Sequence, residues 1–218
     1  MSGGFDRDDP HGGQPVRTAG APLPDARVAV VMVHGRGATA ESILTLAPAL
    51  AMDGVAFVAP QAGGNQWYPL GFMAPIERNE PGITSGMRAV GRVLEQVAAA
   101  GIPPERTLLL GFSQGACLAS EFVARHARRY GGLAVLSGGL IGPDGTPRDY
   151  PGSLDGTPVF LGCSDVDGHI PAARVRESAD VLRRLGGDVT MRLYPGMGHL
   201  VNDDEIDEVR AMLATALA

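Results

Sequence analysis

An α/β fold, with a mostly parallel sheet of about six to eight strands flanked by helices, is predicted by three features of the sequence. Short, continuously apolar runs recur along the chain. Segments of helical period lie between them. Nearly every apolar run ends in a cluster of Gly, Pro or polar residues. Strands buried on both faces read in this unbroken apolar way, and crossovers of helical length join parallel rather than antiparallel neighbours.

The strand candidates are 28–33 (VAVVMV), 55–58, 107–110, 133–136, 159–161 and 189–193. Among the helical segments, Met87, Val90, Leu94 and Val97 share one face, and Gly101-Ile102-Pro103-Pro104 ends that helix. A last helix carries Ile206, Val209, Leu213 and Ala216, opened by Asn202 with Glu205 three residues on, a cap-and-return pair. Two stretches break the rhythm: 60–81, which holds the only Trp, and 138–156, rich in Gly, Pro and Asp. Both follow strands at the carboxyl edge of the sheet, where open α/β sheets bind ligands. Residues 1–13 (MSGGFDRDDPHGG) read as a flexible tail, and 14–218 as a single domain.

Composition removes several kinds of function. All 18 basic residues are arginine, which excludes lysine Schiff bases, phosphate-loop lysines and Ser–Lys dyads. A formal charge of −6 opposes nucleic-acid binding and an anionic membrane surface. No apolar run approaches the roughly 20 residues that span a bilayer, and the first residues have no signal-peptide pattern. A cytoplasmic location is expected. Cys117 and Cys163 lie in apolar stretches and read as reduced, buried small hydrophobes. Asp203, Asp204, Glu205, Asp207 and Glu208 crowd the start of the last helix, where they complement its dipole rather than hold a cation.

The strongest chemical signal is Gly111-Phe112-Ser113-Gln114-Gly115, directly after Leu108-Leu109-Leu110 and directly before a helical run. A strand that turns sharply into a helix around a serine lifts the hydroxyl off the sheet edge, with unpaired helix N–H groups behind it. A serine hydroxyl needs a base. Of five histidines, His11 falls in the expected tail, His126 sits on the following helix, and His34 shapes a loop. His199 lies between the last strand and the last helix and is the favoured base, with His169 as the fallback. A carboxylate must orient that base, and Asp165 or Asp167, after the 159–161 strand, could supply it. Backbone N–H groups of Gln114 and Arg36 are the candidate oxyanion donors, the latter within His34-Gly35-Arg36-Gly37. Trp67, Tyr68 and Phe72 are candidates to wall a substrate pocket, core packing being their alternative. Arg125, Arg128 and Arg129 read as a solvated helix end.

Together VHGRGA (33–38), APQA with NQWYP (59–69), LLLGFSQGA (108–116), LSGGL (136–140), Asp167-Gly168-His169-Ile170-Pro171 and GMGH (196–199) resemble the α/β-hydrolase superfamily. The likeness is to its compact carboxylesterase, lysophospholipase and acyl-protein thioesterase branch. That branch places its acid four residues before a proline, which here implies Asp167 and leaves Asp165 as a turn former. The resemblance implies a cofactor-free serine carboxylesterase without a cap domain. It would act on small to medium uncharged esters through an acyl-enzyme. Lysophospholipase or thioesterase activity on the same residues is the alternative, and a non-catalytic small-molecule binder is the rival of another class. The sequence departs from the branch in two places. Gly168 replaces the proline that often follows the acid, and Ala38-Thr39-Ala40 lacks the acidic residue usual in thioesterase members. The oligomeric state is open, a homodimer among the options.

Overall fold

In a computed structural model of the chain, residues 8–218 are described. All six apolar runs become strands. The first, β2 (Val28–Val33), keeps its expected bounds. The others lengthen into β3 (Val55–Pro60), β4 (Thr107–Phe112), β5 (Gly132–Leu136), β6 (Pro158–Ser164) and β7 (Asp188–Tyr194). The backbone ladder runs on past the ends of the apolar runs, mostly through Gly, Pro, Ser and other flanking residues such as Asp188 and Tyr194. A further strand, β1 (Val16–Gly20), lies outside the pattern because four of its five residues are exposed, so no apolar run marks it. It pairs antiparallel with β3, while the remaining neighbours are parallel in the order β1-β3-β2-β4-β5-β6-β7.

Helices cover both faces. On one, α3 (Gly82–Ala99), α4 (Gln114–Arg125) and α5 (Ala172–Arg184) pack a core with Val31, Leu109, Val135 and Leu161. On the other, α1 (Ala40–Ile43), α2 (Ala47–Leu50) and α6 (Asp203–Leu217) enclose Val30, Met32, Leu110 and Phe160. Alternate residues of each central strand thus serve opposite cores, so those strands contain no polar face. The expected cap-and-return pair opens α6: the Asn202 side chain accepts from Glu205 N–H, and the Glu205 carboxylate accepts from Asn202 N–H.

The N-terminal expectation needs correction. Residues 1–7 lie outside the described residues, but 8–13 are packed rather than loose. His11 is 3% exposed. Its Nδ1 accepts from Gly63 N–H, which leaves Nε2 to donate to Trp67 O at 2.9 Å. Asp9 pairs with Arg92 and accepts from Ser85. Burial lowers the His11 pKa and keeps the ring neutral.

The 138–156 excursion is held by buried charge. Glu121 of α4 accepts from Ile141 N–H and from the Tyr150 hydroxyl, and faces Arg148. Arg174 of α5 donates to Leu140 O and Gly142 O. The excursion meets the 60–81 segment where Gly142 N–H donates to Phe72 O.

Candidate active site

Strand β4 turns into α4 through Ser113, whose backbone has φ 56° and ψ −121°. L-residues avoid this region, and holding it costs of order 1–3 kcal/mol, tolerated only where the surroundings over-determine it. Here they do. A Cβ on Gly115 would stand 2.1 Å from Val33 O, and one on Gly111 2.4 Å from Gly115 O. Only glycine permits strand and helix to approach so closely. Ser113 N–H is tied to Leu136 O at 3.0 Å.

The Ser113 Oγ lies 2.8 Å from His199 Nε2, and His199 Nδ1 lies 2.7 Å from Asp167 Oδ2. An ionised carboxylate only accepts, so Nδ1 carries the proton and Nε2 is free to accept from the serine hydroxyl. Asp167 is a fully buried side chain, and its second oxygen accepts from His169 N–H at 2.8 Å and Ile170 N–H at 3.1 Å. Burial pushes its pKa up, but the bonds from His199 and the two amides outweigh that and hold it below the usual carboxylate range. The Cys163 thiol donates weakly to the same oxygen that His199 engages, at 3.6 Å. Asp165 instead accepts from Gly196 N–H and shapes the histidine loop. His169 does not replace His199: its ring stands edge-on to the His199 ring, 4.8 Å away, on the rim.

A cavity of about 300 Å³ opens over the serine, lined by Arg36, Tyr68, Phe72, Gln114, Cys117, Ile170 and both histidines of the rim. The Gly35-Arg36 backbone runs beside the nucleophile, since a Cβ on Gly35 would meet Ser113 Cβ at 3.4 Å. Gln114 opens α4, where the N–H has no intrahelical partner. Gln114 is thus next to the nucleophile in the chain, and the main chain at Gly35 passes close to it. A larger groove of about 990 Å³ lies between α3 and α4, but its lining lacks any nucleophile–base pair, so chemistry belongs to the smaller cavity.

Of the three pocket candidates, Tyr68 and Phe72 line the cavity and Trp67 does not. Trp67 is fully buried beneath it, wedged against His11 and His34, with its indole N–H donating to His34 O at 2.8 Å. A buried indole needs a partner for its one donor, and that partner lies on the core side. His34 shapes this layer as expected. Its Nδ1 donates to Gly35 O and its Nε2 accepts from Ala62 N–H. His126 accepts nothing from the site, its Nδ1 donating to Phe122 O.

Several contacts escape sequence reading. The Arg36 guanidinium, assigned no role from sequence, grips the 66–70 segment. The Gln114 side chain does the same from the other side. The sequence pointed to both residues only for their backbone N–H groups, as candidate oxyanion donors. The arginines at the end of α4 are also engaged rather than merely solvated: Arg125 pairs with Glu121, Arg128 lies over the Tyr130 ring, and Arg129 reaches Asp155 O. In the acidic run, Asp204 accepts from Arg192 and Tyr194 while Glu205 caps α6. Among the described residues, no group of three or more His, Cys, Asp or Glu could hold a metal ion. Both cysteines are free and buried.

Comparison with known proteins adds to this geometry. The family model described as Phospholipase/Carboxylesterase matches residues 20–217. The protein of Gibberella zeae named acyl-protein thioesterase 1 is 32% identical over 212 residues, covering 86% of this chain and 90% of that one. A crystal structure of a phospholipase/carboxylesterase from Dyadobacter fermentans is 42% identical and superposes with a TM-score of 0.88, over 94% of this chain and 97% of the other. A carboxylesterase from Mesorhizobium loti, 23% identical with a TM-score of 0.72 over 92% and 94% of the two chains, shares the fold.

Proposed function

Because the chain belongs to the phospholipase/carboxylesterase family, we propose that it is a serine carboxylesterase working through Ser113, His199 and Asp167. It is a carboxylic ester hydrolase. The reading rests on one observation above the rest, the unbroken hydrogen-bond chain from Ser113 Oγ through the imidazole to a buried, anionic carboxylate.

Ser113 Oγ attacks the ester carbonyl while His199 Nε2 takes its proton. Asp167 keeps the tautomer and stabilises the imidazolium that forms. The Arg36 and Gln114 amides receive the developing oxyanion, each such donor supplying about 3–4 kcal/mol of barrier lowering. His199 returns the proton to the leaving alcohol, then activates the water that clears the acyl-enzyme. A cavity of about 300 Å³ suits a small to medium acyl group. The wall is apolar where Phe72 and Ile170 contribute, which suits uncharged chains.

An active-site-directed fluorophosphonate tests the assignment. Labelling of the wild type and not of Ser113→Ala is expected, together with a loss of roughly 10³-fold or more in aryl-ester hydrolysis. Unlabelled wild-type protein would favour the binder reading, and turnover retained by Ser113→Ala would remove the serine. Thioester hydrolysis on the same residues is the second reading, favoured by the name of the Gibberella zeae relative. Rates on matched oxygen and thiol esters separate the two. No described helix is long and apolar enough to cross a membrane.

A further inference from the structure

The two residues assigned above as oxyanion donors also hold, with their side chains, the segment that walls the cavity. The Arg36 guanidinium donates to Gln66 Oε1 at 3.0 Å, to Pro69 O at 2.8 Å and to Leu70 O. The Gln114 carboxamide accepts from Trp67 N–H and donates to Tyr68 O, both at 2.8 Å. Every residue from 66 to 70 is thereby bonded to one of two side chains, and Tyr68 and, just beyond, Phe72 line the cavity. A planar guanidinium can bridge two successive carbonyls, and a charged donor makes each bond stronger than a neutral one would. A mobile surface arginine would not spend all its contacts on oxygens of one short segment, two of them main-chain.

We propose that Arg36 is the positioning and specificity-determining residue of this site, coupling the acyl-pocket wall to the oxyanion donors. The inference rests on the acyl-transfer reading above and deepens it. On that reading its backbone N–H receives the oxyanion, while its side chain holds the wall that the acyl chain must touch. An acyl group that fits leaves wall and donor in register. A longer or branched one presses Tyr68 and Phe72 outward, drags the guanidinium with them, and moves the Arg36 amide off the oxyanion. The misfit is thus felt when negative charge develops on the oxygen, not when the ester binds. Discrimination against long acyl chains appears in kcat, with KM little changed. The class of substrate favoured is a short, unbranched, uncharged acyl ester.

Aryl esters with two-, four- and eight-carbon acyl groups test this on the full chain, using Arg36→Met, Arg36→Lys and Gln66→Met. Arg36→Met is expected to lower kcat on the two-carbon ester by about tenfold to a hundredfold, less than full loss of an oxyanion donor, with KM within about threefold. Its preference for short over long chains should flatten. Arg36→Lys should recover part of kcat, because an ammonium keeps charge and donors but not the fork. Gln66→Met removes one exposed acceptor, leaves the fold intact and should move kcat in the same direction by a few-fold, so the idea stays testable even if Arg36→Met folds poorly. A kcat and chain-length profile within twofold of wild type in both methionine variants would overturn it. So would a defect confined to KM for anionic esters and fully restored by lysine, which would make the guanidinium an anion site. If Ser113→Ala is inert while Arg36→Met is unchanged, this inference alone falls. If Ser113→Ala still turns over, the underlying reading of the site falls first.

Discussion

The two halves of the site are held in opposite ways. The nucleophile stands at the end of β4, where residues 107–111 and then 114–124 are all buried, and its strained backbone is locked by contacts at Gly111 and Gly115. The base stands between β7 and α6, where not one residue from 188 to 204 is buried. Its loop is set by a few polar ties. Gly198 N–H donates to Ser164 Oγ, Gly196 N–H donates to Asp165, and Asn202 reaches Met197 S. The first half is positioned by packing, which resists deformation. The second is positioned by hydrogen bonds, each worth about 0.5–1.5 kcal/mol net. A substitution in the first half should therefore cost folding along with activity, and one in the second should cost activity far more than folding.

The largest expected effect lies on the base side. Asp167→Asn keeps the shape but can donate to Nδ1 and so favour the wrong tautomer. It should lower kcat by roughly 10³- to 10⁴-fold while shifting Tm by only a few degrees. Equal losses of Tm and kcat would erase the contrast between the halves. Gly115→Ala attacks the other half, because its new methyl meets Val33 O and His34 O, backbone that has no room to yield. A loss of roughly 3 kcal/mol or more in denaturant unfolding is expected, above most overpacking values.

Glu205 sharpens the comparison beneath the base loop. Its carboxyl is fully buried, lies against the space that Gly162 leaves open, and is pushed up to about 7 from 4.5 by burial. Asp204 adds to that rise, and the Asn202 N–H opposes it. A carboxyl whose folded pKa is raised binds its proton more tightly in the native state. Stability therefore falls as pH rises from the ordinary value to the folded one, and stays lost above it. Glu205→Gln keeps the cap without the charge. Its stability relative to wild type should rise between pH 5 and pH 8, by on the order of 2 kcal/mol, in paired chemical denaturation curves. A constant difference across that range would show that the carboxyl does not titrate there. The smallest effect belongs to Ser164→Ala, which strips an acceptor from Gly198 and Val166 amides. About 1 kcal/mol of stability and a few-fold in kcat are expected, read from Tm and initial rates.

How far the sequence could be read follows the same division. The apolar runs named six of the seven strands described, because strands buried on both faces have nowhere to place a polar side chain. Strand β1 escaped because an exposed edge needs no such run. Ser113 and His199 could be nominated from their places at strand ends, and the two meet in the structure. Spacing could not choose between Asp165 and Asp167. They are two residues apart in one loop, yet one turns inward to His199 and the other bonds Gly196. His11 looked like part of a tail because the residues around it are small and polar, yet its ring fills a slot under Trp67.

By itself, then, the amino-acid order determined what local chemistry determines: apolar runs, caps, the glycines of the tight turn, and the sequence of Ser, Asp and His along the chain. Only the tertiary structure decided which groups touch. Trp67 went to the core and not the cavity, Arg36 closed on three residues some 30 positions away, and residues 8–13 folded back onto α3. The reason is one of range. Periodicity and turn preferences act over a few residues, whereas a hydrogen bond between distant residues depends on where the whole sheet delivers them, and no local pattern carries that distance.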